Sequence, residues 1–513
     1  MKYIAIFHAN LNYAYLTPDR YEFVIRNAYE MIIDTMQERF AGTPYVFEAS
    51  GYTIEQMAMR TPNVINKLKS AIDCGQCEFM GSPYAHPMLA NFPKEDGLWS
   101  LRFALECYEK YLGVRPSSFW NPECGWHSQV AEQVIESGYE NLLGDFEAFS
   151  HAHNPQGKPV RPQIYESDYT AKPAFYNFSF EYDLPGDEAA IHFPFNRLYG
   201  MKTDALRLFL RTDRVAQFGV RYFMGMQGYS LDKYLDLIDK YSAQTQNQPE
   251  GALIIFADDA EYIGTNGWFR LKYQNEPDRV FEPTPESHQR LIDLVRACSQ
   301  RGEFTTFERA CRQLPVTTET LAFDDDSAWH GARASTWATT PMAKLLRPWQ
   351  ERVRAKLKAL ESSLAPEQKK RAWFHLTNSY NSDGQWPPTL PEAPHIVHPY
   401  NYSYCFEHLL QADLLVGGVD RETLSTDAAQ TIEHILEPQQ KLVLEKAEHI
   451  LQSGQDAEKV KALEAQTLIK KSRETPPGGE TRVRILYPSE YLVRANALVE
   501  ARRLVGGVEI EES

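Results

Sequence analysis

The 513-residue sequence contains no run of about 18 consecutive apolar residues, the length that a helix needs to cross the core of a bilayer. The apolar run at its start is too short for a secretory signal peptide, and polar residues follow it directly. These absences argue against a membrane-spanning protein and against a secreted one. We therefore expect a cytoplasmic protein with no membrane partner.

Positive charge is also scarce. The chain has 53 Lys and Arg residues against 69 Asp and Glu residues, and its formal charge of −16 repels nucleic-acid phosphates. Cysteine is scarce too: seven is an odd number for a disulfide framework, and the CxxC pair Cys74 and Cys77 has no second pair to complete a zinc site. The sequence thus predicts reduced thiols, no nucleic-acid partner and neither metal nor cofactor, and it favours a neutral substrate.

What the chain does contain is a regular alternation of short apolar runs with amphipathic stretches over residues 1–310. This pattern is typical of β/α units around a parallel sheet, so the predicted fold class is α/β, with a parallel barrel. One helix is expected to open at Thr17 and Pro18 and to run towards Phe40. The strand candidates are Tyr3–Phe7, Tyr45–Glu48, Glu78–Gly81, Ser117–Trp120, Asn141–Gly144, Ala190–Phe193 and Leu253–Ala257.

The pattern changes after residue 310. Residues 311–345 are rich in Thr, Asp and Trp, and we expect this segment to be a loop over the active site. Residues 346–513 show no strand alternation and are predicted to form a helical domain, with amphipathic helices over Pro348–Leu364 and Glu433–Gln452. The prediction is therefore a barrel, a covering loop and a helical C-terminal domain.

One candidate carboxylate follows the fourth predicted strand. In a parallel barrel the carboxyl ends of all strands open onto one face, where barrel enzymes keep their active sites. In the segment 118–126, Glu123 lies between two indole rings, Trp120 and Trp126, and directly after a proline that restricts the loop. Indole rings offer flat apolar faces to sugars. An N-cap or a salt-bridged loop would also explain a single acid at this place.

A second group of carboxylates follows the last predicted strand, the most apolar one of the chain. Asp258, Asp259 and Glu261 all lie in the segment 258–261. Three acids this close resist simultaneous ionisation, which is one way to raise the pKa of a general acid. Because two carboxylates facing each other across a pocket with aromatic walls are what glycoside hydrolysis requires, this group together with Glu123 indicates glycoside chemistry.

Five strings of the sequence resemble, in order, the motifs of glycoside hydrolase family 57. They are HANLNY (8–13), GQCEFMGSPYAHP (75–87), FWNPECGW (119–126), ADDAEYIG (257–264) and NSDGQW (381–386). The resemblance implies an incomplete seven-stranded parallel β/α barrel followed by a helical domain. It also implies a retaining enzyme that acts on α-1,4-glucans or maltooligosaccharides. The first motif departs from the family's usual HQP, because Ala9 and Asn10 follow His8.

The resemblance implies that Glu123 is the nucleophile and that Asp259 is the acid/base. A structural role is the alternative for several of the other candidates: a buried histidine often satisfies a backbone carbonyl, a tryptophan often packs in a core, and Glu78 could merely orient Glu123. The candidates for substrate binding are His8, Asn10, Glu78, His86, Trp120, Trp126, Asp258, Glu261, Trp268, Asp383 and Trp386.

Two other classes of function compete with this interpretation. A metal-dependent sugar enzyme, such as a zinc α-mannosidase or a polysaccharide deacetylase, needs an Asp beside a His near the first strand, and here Asn10 offers an amide that binds zinc poorly. A non-catalytic α-glucan-binding protein would be indicated by loss of a carboxylate, yet Glu123 and Asp259 are both present. Within the family, the string DDAEYIG resembles α-amylases and 4-α-glucanotransferases more than branching enzymes. Hydrolysis, transfer and branching all stay open.

Overall fold

The structure is a computed structural model that describes residues 1–13, 16, 18–147, 191–196, 205–243, 251–267, 281–317, 325–329, 333–385, 399–417, 470–474, 482–487 and 508–512. The chain forms two compact units. The first consists of residues 1–12, 20–275 and 279–336, and the second of residues 13–19, 276–278 and 337–513. The first unit thus runs past residue 310, the predicted end of the barrel. That residues 311–345 cover the active site stays a prediction.

The first unit is built on a parallel sheet of eight strands. They are β1 (Lys2–Ala9), β2 (Tyr45–Ala49), β3 (Cys77–Gly81), β4 (Ser118–Trp120), β5 (Asn141–Asp145), β6 (Arg207–Arg211), β7 (Ala252–Asp259) and β8 (Glu303–Phe304). The strand path is β6-β5-β4-β3-β2-β1-β7, and β8 pairs with the start of β1. Because β6 and β7 end the path, the barrel is open between them. The predicted incomplete seven-stranded barrel is confirmed.

The burial of two neighbouring strands, β1 and β7, shows where the core lies. Every residue of β1 after Lys2 is buried, and β7 is buried along its whole length. Strands of a parallel sheet are covered on both faces, so they consist of continuous apolar residues rather than of alternating ones. The chemistry-bearing residues of these strands therefore stand at the strand ends, where the apolar run stops.

One strand prediction is wrong. Ile191 and His192 lie in a 3-10 turn, so Ala190–Phe193 does not supply the sixth strand, and Arg207–Arg211 supplies it instead. This strand has arginines at both ends, which make it resemble a surface segment in the sequence. In the fold Arg211 is buried and paired with acidic side chains, and such pairing is what allows a buried charge. The other six strand predictions are confirmed.

Helices connect the strands, and the predicted helix after Pro18 is confirmed in four consecutive pieces. A 3-10 turn (Pro18–Arg20) leads into α1 (Tyr21–Val24), a π-helical turn (Ile25–Glu30) follows, and α2 (Met31–Arg39) completes the run. π-helical turns are frequent at functional sites, and this one carries Tyr29. The helices of this unit are α1 (Tyr21–Val24), α2 (Met31–Arg39), α3 (Gly51–Arg60), α4 (Pro62–Asp73), α5 (Lys94–Tyr111), α6 (Ser128–Glu136), α7 (Asp213–Phe223), α8 (Leu231–Ala243), α9 (Pro285–Ser299) and α10 (Phe307–Gln313).

After a short helix, α11 (Thr336–Thr339), the second unit contains α12 (Pro341–Leu360), α13 (Pro366–Asn378) and α14 (Pro399–Leu415). The predicted helix Pro348–Leu364 thus begins earlier, where the Thr340 hydroxyl accepts a hydrogen bond from the Ala343 N–H. The predicted helix Glu433–Gln452 lies outside the described residues.

The second unit also contains a three-stranded sheet that the sequence analysis did not predict. Its order is β11-β10-β9, and β10 is antiparallel to β9 and parallel to β11. The strands are β9 (Lys470–Glu474), β10 (Arg482–Tyr487) and β11 (Val508–Glu512). Among the helices that the structure describes, none is both long and apolar enough to span a bilayer.

Candidate active site

The register of the sheet brings three polar side chains to one level of the barrel. His8 of β1 is aligned with Glu48 of β2 on one side and with Asp259 of β7 on the other. All three stand at or next to the carboxyl ends of their strands, on the face where parallel barrels carry their sites. His8 therefore lies between two carboxylates.

The His8 imidazole is an ion-pair partner of Glu48. Its Nδ1 is hydrogen-bonded to the Glu48 carboxylate, and its Nε2 lies 4.0 Å from Oδ1 of Asp259. Burial by itself lowers the pKa of His8, but the charge and hydrogen bond of Glu48, with the charges of Asp259 and Glu261, raise this pKa to about 10. At neutral pH the site therefore contains an imidazolium beside Asp259.

A second histidine connects this group to Glu123. The His86 ring lies 5.3 Å from the His8 ring, centroid to centroid, and its Nδ1 is 3.8 Å from Oε1 of Glu123. Burial, and then the charge of His8, hold the pKa of His86 well below its usual value, so His86 is neutral. The two predicted catalytic carboxylates thus face two adjacent imidazoles, one charged and one neutral.

The loop after β4 presents Glu123 in an unusual backbone conformation. Glu123 has φ 58° and ψ 16°, and Cys124 also has a positive φ. Such left-handed residues cost about 1–3 kcal/mol each and persist only when the surroundings impose them. Here a 3-10 turn does so: the Cys124 N–H donates to Asn121 O over 2.9 Å, and the Gly125 N–H donates to Pro122 O over 3.0 Å.

The two predicted aromatic walls flank this loop. The Trp120 ring lies 5.1 Å from the His8 ring, and its Nε1–H donates to Sγ of Cys124 over 3.2 Å. The Trp126 backbone forms a two-way pairing with the segment 326–327, in which its N–H donates to Ser327 O over 2.7 Å. Both indoles are nearly buried. That they stack on sugar rings stays a prediction.

Asp258 and Asp259, although consecutive, have different surroundings. Oδ2 of Asp258 accepts a hydrogen bond of 2.8 Å from Nε2 of Gln217, and its Oδ1 accepts one of 2.9 Å from the N–H of Asp259. Both carboxylate oxygens of Asp258 are thus engaged by protein groups, whereas Asp259 faces His8. That Asp258 binds substrate stays a prediction.

Glu261 is fully buried and joins the ends of β1 and β7. Its Oε1 accepts hydrogen bonds from the Asn10 N–H, over 2.9 Å, and from the Tyr29 hydroxyl. Burial raises its pKa to about 7, so desolvation rather than the crowding of neighbouring acids is the main cause of this shift. Oδ1 of Asn10 accepts a hydrogen bond from the Asn12 N–H, which shapes the loop after β1. That Glu261 and Asn10 bind substrate stays a prediction.

Two charged residues near the site, Arg211 and Glu48, were not among the candidates that the sequence offered, and Arg211 has the larger set of acidic neighbours. It ends β6 with its side chain buried, and its guanidinium pairs with Asp213, lies 3.7 Å from Asp145 and lies 3.9 Å from Asp258. It also faces the Trp120 ring at 5.9 Å. A signal was present in the sequence: a run of apolar residues between two arginines, followed by Asp213, indicates a buried pair rather than an exposed loop.

Three carboxylates of this region, Asp145, Glu147 and Asp213, have oxygens that lie within 4.8 Å of one another. The guanidinium of Arg211 contacts Asp145 and Asp213, so a positively charged side chain of the protein already lies among these carboxylates. Glu147 accepts hydrogen bonds from the Thr212 hydroxyl, at 2.7 Å, and from the Asp213 N–H, at 2.9 Å. The acidic group therefore already has donors within the protein.

Glu78, a predicted substrate-binding residue, does not lie on the face of the barrel that carries the site, so its predicted position is wrong. It is the second residue of β3, near the amino end of the strand, while the carboxyl end at Gly81 leads to the site. Its Oε2 accepts a hydrogen bond of 2.8 Å from the Glu308 N–H, and burial raises its pKa to about 7. The motif string spans the whole strand, and only the strand direction decides which of its residues reach the substrate face.

Three other candidates lie in the second unit or outside the described residues. Asp383 belongs to the second unit, where it is buried in a 3-10 turn, Asp383–Gln385. Trp268 and Trp386 lie outside the described residues. The roles of these three residues stay predictions.

The fold and the site define an incomplete parallel β/α barrel that carries a carboxylate pair at the carboxyl ends of its strands. Residues 1–283, more than half of the chain, match the family model of Glycosyl hydrolase family 57, and the chain belongs to this family. The resemblance that the motif strings carry is thereby confirmed.

Curated relatives match over shorter stretches. The α-amylase of Pyrococcus abyssi is 26% identical over 134 residues, which are 26% of this chain and 20% of the relative. The 4-α-glucanotransferase of Thermococcus litoralis is 30% identical over 96 residues, which are 19% of this chain and 14% of the relative. The chain thus covers about a fifth or less of the length of these relatives.

Solved structures show the same fold. The 4-α-glucanotransferase from Thermococcus litoralis aligns with a TM-score of 0.55 at 16% identity, over 80% of this chain and 60% of that one. The branching enzyme from Pyrococcus horikoshii aligns with a TM-score of 0.54 at 11% identity, over 90% of this chain and 94% of that one. At these identities the likeness concerns the fold.

The His8–Glu48 pair leads to a prediction about protonation. In the wild type we expect His8 to stay protonated at pH 8, because its pKa is raised to about 10. Glu48→Gln removes the negative charge that raises this pKa most, so the pKa falls and the imidazole becomes neutral at pH 8. Selective ¹³C labelling of histidine and an NMR titration of the Cε1 signal, assigned with His8→Gln, measure the change.

Glu78→Gln is the matched control, since it also removes a carboxylate but at the other end of the barrel. It should leave the titration of His8 unchanged. A His8 signal that titrates identically in the wild type and in Glu48→Gln would contradict the proposed ion pair.

Proposed function

We propose that the chain is a retaining glycoside hydrolase or transglycosidase that acts on α-1,4-glucans, as an α-amylase or a 4-α-glucanotransferase. The observation that carries this proposal is the placement of Glu123 and Asp259 on different strand ends, facing the adjacent rings of His8 and His86. Relatives named α-amylase and 4-α-glucanotransferase support the same substrate class.

In the first step Glu123 acts as the nucleophile. One of its oxygens attacks the anomeric carbon, the bond from that carbon to the leaving glucan oxygen breaks, and Asp259 gives its proton to that oxygen. The product is a β-linked glycosyl-enzyme. The buried surroundings of Glu123, with 3% of its surface exposed, keep bulk water away from the reacting carbon and strengthen every charge interaction there.

In the second step Asp259, now ionised, takes a proton from the acceptor. The acceptor is water for a hydrolase and the 4-hydroxyl of a second glucan for a transferase, and its oxygen displaces Glu123 with a second inversion. The imidazolium of His8 favours the ionised form of Asp259 in this step.

Product analysis tests the proposal and separates its two forms. Purified protein incubated with maltoheptaose should give a ladder of longer and shorter maltooligosaccharides if it transfers, and net shortening with new reducing ends if it hydrolyses. If it hydrolyses, NMR of the earliest products should show the α anomer at the new reducing end, and if it transfers, the new glycosidic bond should be α. Absence of any change in chain length, while the sugar still binds, would favour a non-catalytic α-glucan-binding protein and would overturn the proposal.

A further inference from the structure

We propose that Arg211 and Gln217 are positioning residues: acting through Asp258, they fix the direction of Asp259. The inference rests on the proposed function, in which Asp259 gives a proton to the leaving glucan oxygen. Both positioning residues lie outside the five motif strings. They would thus be determinants of the reaction that belong to none of those motifs.

The topology explains why Asp259 needs such support. It is the last residue of β7, and β7 ends the strand path of the barrel. On one side the carboxyl end of β7 is hydrogen-bonded to β1. On the other side it faces the opening of the barrel, and β6 lies on the far side of that opening. Side chains from β6 and from α7 cross this opening, so they do what a neighbouring strand does elsewhere in the sheet.

The contacts form a short chain that ends at Asp259. Gln217 of α7 donates a hydrogen bond of 2.8 Å to Oδ2 of Asp258, and Nη2 of Arg211 lies 3.9 Å from the same oxygen. The opposite oxygen of Asp258 accepts the backbone N–H of Asp259 over 2.9 Å. One carboxylate therefore ties α7 and β6 to the peptide group that carries the proposed proton donor.

Buried charges restrict the movement of the side chains that make these contacts. Arg211 is held from its other sides by Asp213 and by Asp145, and the guanidinium and all three acids are buried. A buried ionised carboxylate requires hydrogen-bond donors or a cation close by. If Asp258 turned away it would lose both, so its position is determined, and with it the direction in which Asp259 leaves the strand.

The consequence is specific to proton transfer. When a glucan leaves, the anomeric C–O bond breaks while Asp259 protonates the departing oxygen, so a misdirected Asp259 slows this step. When the substrate is an α-maltosyl fluoride, the C–F bond breaks and fluoride leaves without needing a full proton, while Glu123 attacks as before. A positioning defect at Asp259 must therefore depend on the leaving group, and a general loosening of the site need not.

Gln217→Met is the primary test, because it keeps the size of the side chain and removes the donor to Asp258. We expect single-turnover cleavage of maltoheptaose to slow by about 10- to 100-fold with little change in KM. The first-turnover release of fluoride from α-maltosyl fluoride should stay close to that of the wild type. Gln133→Met is the matched control: Gln133 is also buried and donates one hydrogen bond of 3.0 Å, to Lys94 O, and its loss should change neither rate.

Arg211→Lys provides an independent second variant. It retains the cation that the surrounding acids require, but it cannot reproduce the planar fork, whose Nη1 lies near Asp145 while Nη2 pairs with Asp213 and lies near Asp258. We expect it to slow maltoheptaose cleavage as strongly as Gln217→Met or more strongly, again with fluoride release largely spared. Thermal unfolding of each variant establishes that the compared proteins are folded.

The outcomes separate the two proposals. If the folded variants slow both substrates by the same factor, or slow neither, Arg211 and Gln217 do not position the proton donor, and the inference is overturned while the proposed function stands. If the wild type itself turns over neither maltoheptaose nor α-maltosyl fluoride, the proposed function fails, and the inference fails with it.

Discussion

Glu123→Gln should abolish turnover of α-glucans in a protein that still folds. The amide keeps the size of the carboxylate and most of its hydrogen bonds, but it cannot attack the anomeric carbon as an anion. We expect kcat on maltoheptaose to fall by at least about 10⁴-fold, a loss of about 5 kcal/mol of transition-state stabilisation. Reducing-end assays measure the rate, and binding of maltoheptaose by calorimetry should persist.

Glu132→Gln is the matched control for this substitution. Glu132 lies on the exposed surface of α6, where it forms an ion pair with Lys94 at 3.0 Å. Such exposed pairs contribute little, so activity and stability should stay near those of the wild type. Near wild-type turnover in Glu123→Gln would exclude Glu123 as the nucleophile.

A second substitution at the same position identifies the face of attack. Glu123→Gly suits the backbone, because the left-handed φ of 58° at this residue is one that glycine adopts without strain. It also leaves a space beside the anomeric carbon. With an activated α-glycosyl fluoride, added azide should enter this space, attack directly and give a β-glycosyl azide by a single inversion.

Asp259→Asn should give the second large effect, and one that depends on the leaving group. Removal of a general acid costs about 10²- to 10⁴-fold, so we expect a loss of this size on maltoheptaose. The first step on α-maltosyl fluoride should be spared, because fluoride leaves without full protonation. Azide needs no general base, so it should release the trapped glycosyl-enzyme and give the α-glycosyl azide by a second inversion.

The configuration of the two azide products decides the assignment. NMR coupling constants at the anomeric proton distinguish the α azide expected from Asp259→Asn from the β azide expected from Glu123→Gly. Exchanged configurations would reverse the roles of the two carboxylates. Equal losses on both substrates in Asp259→Asn would show that Asp259 is not the proton donor.

The local pattern of the chain was enough to predict the barrel and its carboxylates. Parallel strands are buried on both faces, so they appear as short apolar runs, and six of the predicted runs are strands at the expected places. The same pattern explains why polar residues just after these runs meet on one face: Glu123 follows β4, and Asp259 ends β7. The sixth strand, Arg207–Arg211, was not predicted, because the arginines at its two ends make it resemble an exposed segment.

What the sequence by itself determined is therefore the parallel barrel, the family and the carboxylates that stand at its strand ends, since all of these depend on periodicity and on short contiguous strings. Only the tertiary structure decided the partners of those residues. Strand register aligned His8 with Glu48 and Asp259, strand direction placed Glu78 at the far end, and the opening between β6 and β7 brought Arg211 to Asp258. Such pairs join residues far apart along the chain, and no local pattern records which distant charge will neutralise a buried one.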